Sequence, residues 1–166
     1  MRKIALLLVL PLLASCFYSF VGGGLPAHIR TLAVVPFENE TSQPLIEAEV
    51  EQRIEEELPR NLGVRLAAEG TADAVVRGSI TGYQEVAASI RPVGQNSDRI
   101  PVLQRQVRIT YNVEIYDLRE DRSLWRAQSQ SVVGNFQPDN ELVEEGRSRA
   151  VNELVQKVIE GAQSQW

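Results

Sequence analysis

The chain has 166 residues, of which 43% are hydrophobic and 23% charged, with a formal net charge of −5 and a single cysteine. This apolar content without a low-complexity tract argues for a packed globule and against a disordered tether. The acidic balance excludes binding of nucleic acid or an anionic membrane by bulk charge, and one cysteine excludes an internal disulfide.

In chain order, Arg2 and Lys3 precede an apolar run over residues 4–13 that only Pro11 interrupts, and Ala14 and Ser15 follow. A basic start, an apolar middle and a small-residue end make a signal peptide. The run is shorter than the roughly 20 residues that span a bilayer. Leu13-Ala14-Ser15-Cys16 resembles the lipobox of bacterial lipoproteins, in which a diglyceride is linked to the cysteine thiol and the chain is cut just before it. The expected organisation is a signal peptide over 1–15, a lipidated Cys16 with a flexible spacer over 16–26 that includes Gly22-Gly23-Gly24, and one α/β domain over 27–166. Arg2 and Lys3 leave with the signal, so the mature chain carries 15 basic against 22 acidic residues, a net of −7. Each buried acyl methylene contributes about 0.8 kcal/mol, so several chains on one cysteine anchor firmly. Phe17 and Tyr18 follow the cysteine without an aspartate directly after it, which by the enterobacterial sorting rule favours the outer membrane.

Residues 31–37 (TLAVVPF) form a near-continuous apolar, β-branched run, the pattern of a mid-sheet strand with Pro36 at its end. A polar loop over 38–44 follows. Over 45–58, Ile46, Val50, Ile54 and Leu58 recur every fourth residue among glutamates, which predicts an amphipathic helix stopped by Pro59. Residues 64–67 fit a short strand, and 72–74 a turn into a longer one reaching about 86, where Gly78 and Gly82 indicate a bend or close packing. The strongest alternation spans 103–115: Val107, Ile109, Tyr111, Val113 and Ile115 face one way, and Gln106, Arg108, Thr110, Asn112 and Glu114 the other. This is a half-buried antiparallel strand, paired through the charged turn at 117–123 with an extended stretch over 124–136. Pro138-Asp139-Asn140 reads as the cap of a last helix with Glu141, Glu144 and Glu145 in its first turn, where acid is favourable. Its apolar stripe is Val143, Ala150, Val151, Leu154, Val158, Ile159 and Ala162. The order β-α-β-β-β-α predicts an α/β (α+β) two-layer sandwich, with two helices on one face of a mostly antiparallel four-stranded sheet and the other face partly polar.

Several stretches together resemble the lipopolysaccharide-assembly lipoprotein family, LptE. They are Cys16-Phe17-Tyr18-Ser19-Phe20, the segment 25–39 (LPAHIRTLAVVPFEN), the segment 72–78 (ADAVVRG), and Tyr116-Asp117 ahead of Leu124-Trp125. The resemblance implies a small α/β domain seated as a plug inside a large outer-membrane β-barrel, LptD, where it assists insertion of lipopolysaccharide into the outer leaflet. It also implies an outer-membrane location, with the domain facing the periplasm or the barrel lumen. A lipoprotein adaptor of another envelope secretion or efflux complex is the alternative reading, and a periplasmic hydrolase is a third.

Catalytic signals are absent from the sequence: there is no Gly-x-Ser-x-Gly elbow, no glycine-rich phosphate loop and no nucleophile-base pair, so neither an enzyme nor a cofactor is expected. His28, the only histidine, lacks metal-ligand spacing and reads as a residue packing the start of the first strand. Trp125 reads as core rather than as a ligand platform, and the Asn39-Glu40-Thr41 sequon as coincidence. Arg91, Arg99, Arg105 and Arg108 surround a loop whose only acid is Asp98. Two readings stand for this cluster: a solvated hairpin rim, or a phosphate-binding site in which Arg91, Arg99 and Arg105 meet the lipid A phosphates of lipopolysaccharide.

Overall fold

The apolar run after residue 30 becomes an interior strand because both of its edges find a partner. In the computed structural model, which describes residues 24–90 and 103–164, β1 (Thr31–Val34) pairs in parallel with β3 (Arg65–Leu66) and with β4 (Ala74–Ile90). Pro36 has no N–H to extend the ladder, and the chain resumes pairing as β2 (Glu38–Asn39), parallel to β4 at Ser79 and Ile80. β4 then runs antiparallel to β5 (Leu103–Asp117), and β5 to β6 (Arg122–Phe136). The strand order is β3-β1-β4-β5-β6, with β2 beside β4 beyond the end of β1. The sheet has six strands where the predicted order has four: β2, at two residues, is too short to carry an alternation, and β3 falls in the 64–67 stretch that reads as a short strand. The two-layer class and the antiparallel β5–β6 hairpin are as expected.

α1 (Ile46–Leu62) buries Ile46, Val50, Ile54 and Leu58. Pro59 does not stop it. The proline lies in the last turn, and the helix runs on to Gly63, whose φ of 69° and N–H bond to the Pro59 carbonyl at 3.1 Å close the end. α2 (Val143–Gln163) starts later than the sequence suggests, with an extended Leu142 before it and no side-chain cap. Residues 138–140 instead form a turn, and the Glu141 carboxylate accepts from the Gln137 N–H and from Arg149. The two helices lie parallel and in step: Arg147 meets Glu49 at 2.8 Å near their starts, and Gln163 reaches the Asn61 carbonyl near their ends.

Both helices cover the same side of the sheet. Ala150, Val151, Leu154, Val155, Val158 and Ile159 of α2 share one buried core with Val107, Ile109, Tyr111, Val113 and Ile115 of β5. A fully buried aliphatic side chain contributes roughly 1.5–3 kcal/mol, so this double stripe dominates cohesion. Glycines permit the close approach of the layers. A Cβ on Gly134 of β6 would overlap the Gly146 carbonyl of α2 and stand 2.5 Å from the Ala150 nitrogen, and one on Gly161 would overlap the Trp125 indole. Gly78 has Phe37 Cε1 only 2.7 Å from where its Cβ would lie, and the β4–β5 register shifts between Ile80 and Gly82, so close packing and a bend both occur there.

Gly134→Ala is expected to destabilise the domain by roughly 1–3 kcal/mol, because backbone cannot yield as a side chain can. Gly70→Ala, with nothing within 4 Å of its Cβ position, should leave the urea midpoint unchanged. Equal midpoints for the two variants would show that β6 and α2 do not approach this closely.

Candidate functional site

With both helices on one side, the polar half of the β5 alternation faces outward. Arg77 on β4, Glu114 on β5 and Arg126 on β6 stand in a single cross-strand row. The Glu114 carboxylate accepts from Arg77 Nε at 3.1 Å and Nη2 at 2.9 Å, and on its other oxygen from Arg126 Nε at 3.1 Å and from Arg126 Nη2. The glutamate is 9% exposed while each arginine side chain is about half exposed, 52% and 51%. Burial pushes the Glu114 carboxyl up, but the hydrogen bonds from Arg126, Ser123 and Arg77 outweigh it and hold the group below its ordinary range. One ionised acid therefore fixes two arginines whose outer edges remain in solvent.

The surroundings order this row further. The Arg77 guanidinium lies 4.9 Å from the centroid of the Tyr116 ring, a cation–π stack, and the Tyr116 hydroxyl donates to Asp121 at 2.7 Å. In the next row Asn112 Nδ2 donates to Ser79 Oγ at 3.1 Å, and Asn112 Oδ1 accepts the Ser129 N–H at 2.8 Å. Ser129 has φ 50°, at a bulge in β6 opposite Asn112, so the asparagine amide holds a left-handed serine in place. A shallow hollow of about 600 Å³ opens over these side chains, with Val35, Pro36 and Glu38 on its rim.

A second cluster secures the segment that leads into β1. Asp73, 5% exposed, accepts the N–H groups of Arg30 at 2.9 Å and Thr31 at 3.0 Å and meets Arg119 Nη2 at 2.5 Å. Asp117, fully buried, takes His28 Nε2 at 2.7 Å and the N–H groups of Arg119 and Glu120 at 2.8 and 3.1 Å. The Arg30 N–H, against the opposing effect of burial and with help from Thr31 and Arg119, lowers the Asp73 pKa to about 2. Burial works to raise Asp117 as well, and the bonds from His28 and the two backbone donors overcome it to hold that carboxyl low. Glu120 stands 3.8 Å from His28. The three side chains bring potential ligand atoms within 4.8 Å of one another, but the direct His28–Asp117 bond accounts for the contact without an ion.

Cys16, Arg91 and Arg99 lie outside the described residues. Arg105 lies on the helix side of β5, in step with Val107, its Nη2 3.5 Å from Glu85. Arg108 is exposed on the opposite side, so strand alternation separates these two members of the arginine cluster. Trp125 packs over Gly161 as a core-facing residue, and His28 holds the start of the first strand as expected. The Arg77–Glu114–Arg126 row escaped the sequence reading. Its members sit on polar positions of three strands, but only the register brings them together.

No helix among the described residues is long and apolar enough to cross a membrane. Residues 29–162 match the family model LptE, described as lipopolysaccharide-assembly. No curated protein matches the chain. Among solved structures it is similar to the PelC dodecamer of Paraburkholderia phytofirmans, with TM-score 0.52 and 18% identity over 86% of this chain and 95% of that one. It is also similar to a hypothetical protein of Chlamydia trachomatis, with TM-score 0.53 and 12% identity over 81% and 98% of the two chains. At these identities the likeness is one of fold.

Asp73 supplies stability that is complete above its unfolded pKa of about 3.9 and is lost as pH falls from there through its folded value of about 2. Asp73→Asn is therefore expected to lower stability at pH 7 and to flatten its decline between about pH 4 and pH 2. Urea midpoints across that range check it, and parallel pH profiles for the two proteins would refute the clamp.

Proposed function

The chain belongs to the LptE lipopolysaccharide-assembly family, and from that membership we propose that it is a non-catalytic outer-membrane lipoprotein subunit of the lipopolysaccharide translocon. In this reading Cys16 carries the lipid, residues 1–15 are removed, residues 16–26 tether the domain, and the domain over 27–166 plugs an LptD-type β-barrel and aids insertion of lipopolysaccharide into the outer leaflet. The observation that carries it is the family match over 29–162. The fold supports a binding role, because its polar side chains are used in pinning strands and the linker, and every buried side-chain polar atom among the described residues has a partner.

The lipopolysaccharide contact assigned here is Arg91, Arg99 and Arg105, on or beside the β4–β5 connection. Arginine forks suit phosphate, and charge-assisted bonds of roughly 1.5–3 kcal/mol each give an affinity that falls with salt. The Arg105–Glu85 contact is long at 3.5 Å, with side chains 39% and 36% exposed, so the guanidinium can exchange that acid for a phosphate oxygen at little cost.

Palmitate labelling should be lost in Cys16→Ser, since only the thiol forms the thioether, and labelling that persists would end the anchor assignment. An affinity-tagged full chain recovered from native outer membranes should bring a large β-barrel protein with it. Its absence would reject the plug role. Replacing Arg91, Arg99 and Arg105 together by alanine should weaken binding to purified lipopolysaccharide without moving the thermal midpoint. Undiminished binding would reject that site alone.

A further inference from the structure

A second hollow lies on the helix side of the sheet, where the edge of β6 meets the last turns of α2. Its volume is about 450 Å³, and Tyr111, Trp125, Gln128, Gln130, Lys157 and Gly161 are among the residues that line it. The strand register gathers them. Tyr111 and Gln130 are cross-strand partners, as are Ile115 and Trp125, and Tyr111 and Ile115 both belong to the core shared with α2. Gly161 has no Cβ, so the Trp125 indole lies directly on the helix backbone and walls the end of the groove.

Two donors in this groove are unspent. Tyr111 is 1% exposed, yet its hydroxyl bonds to no group among the described residues. Every buried side-chain polar atom among those residues has a partner, so a hydroxyl without one reaches solvent, and this groove is the opening that Tyr111 lines. Burial, with Glu153 nearby, pushes its pKa up to about 12, so it remains a protonated donor at neutral pH. The indole of Trp125 is the second. Its N–H edge lies against Gly161 on the groove wall and likewise meets no acceptor among the described residues. Gln130 spends one amide hydrogen on the Gln128 carbonyl at 3.3 Å and keeps the rest of its amide.

The charged groups around these donors are already matched. Lys157 stands between Glu160 at 2.9 Å and Glu153 at 3.8 Å, and Arg126 is held by Glu114. A free anion or cation therefore finds no uncompensated charge here. An alkyl chain fits no better, because it would strip water from the Tyr111 and Trp125 donors and leave them unpaired. What suits the groove is a neutral, compact molecule with several acceptor oxygens and an apolar C–H face: oxygens for the O–H, the indole N–H and the two amides, and C–H surface for the aromatic rings. A pyranose ring has that make-up, and the hollow falls within the roughly 300–1,000 Å³ of small-molecule sites. We propose that the groove between the β6 edge and α2 is a binding site for a neutral saccharide, with Tyr111 and Trp125 as the donors that hold it. It lies toward the β5–β6 turn, away from the phosphate contact proposed at the β4–β5 connection, and uses no charge, so neither site depends on the other.

The full chain carrying Trp166→Phe, purified in a detergent without a sugar head group, keeps Trp125 as its only tryptophan and so reports on the groove. Titration with maltose and with diacetylchitobiose, both neutral, is expected to move the Trp125 emission along a saturable curve for at least one of them, with the same affinity at low and high salt. Saturation-transfer NMR on the sugar ring protons gives a second readout that does not depend on emission. Tyr111→Phe removes a hydroxyl that the fold does not use, so the thermal midpoint should hold while the affinity for that sugar falls roughly threefold to tenfold. Alanine at Arg91, Arg99 and Arg105 together should leave the affinity unchanged. A flat titration without saturation transfer from either sugar overturns the proposal. Binding that Tyr111→Phe does not weaken, or that salt abolishes, overturns it too, as does a response to purified lipopolysaccharide with none to either disaccharide.

Discussion

Two buried carboxylates set the geometry of the domain where the segment before β1 meets the fold. Asp73 and Asp117 are nearly or wholly out of solvent, and an ionised acid there is tolerable only when several donors converge on it. The donors come from places far apart in sequence: the backbone of residues 30–31, His28, and the turn after β5. Satisfying the two acids therefore aligns the first strand with β4, fixes the β5–β6 turn and pins the incoming chain in one act. The sheet register, the side each strand gives to the helices, and the path of the segment entering β1 all follow from that junction.

How far this was readable in the sequence depends on the range of the interactions. The period-2 pattern of β5 and the fourth-residue spacing of Ile46, Val50, Ile54 and Leu58 identify their elements correctly, because one buried face imposes the period directly. The two-residue β2 is invisible, since its pairing with β4 is a tertiary event with no local pattern, whereas β3 falls in the 64–67 stretch that reads as a short strand. Pro59 misleads because in the last turn a missing N–H costs little, and the true stop, Gly63, carries the left-handed conformation. The last helix begins after its expected cap because Glu141 is engaged with Arg149 and the Gln137 N–H instead of a helix end.

The candidate site was less legible for the same reason. A cluster of arginines close in sequence drew attention to residues 91–108, yet alternation sends Arg105 and Arg108 to opposite sides of the sheet. Arg77, Glu114 and Arg126 are 37 and 12 residues apart and become one group only through the pairing of three strands. Charge read along the chain gives a net value; charge read by layer gives a direction.

The bulge at Ser129 bears on how copies of the chain can meet. β6 is the long edge of the sheet opposite β3, and a long straight edge invites a second sheet to pair with it. In the anchored reading proposed above, confinement to a plane raises the encounter rate of copies and aggravates that hazard. A left-handed residue locked by Asn112 in mid-strand breaks the spacing of the outward N–H and carbonyl groups, so a neighbour cannot zip along the whole edge. The asparagine that orders the sheet face thereby also interrupts the edge along which a second copy could pair.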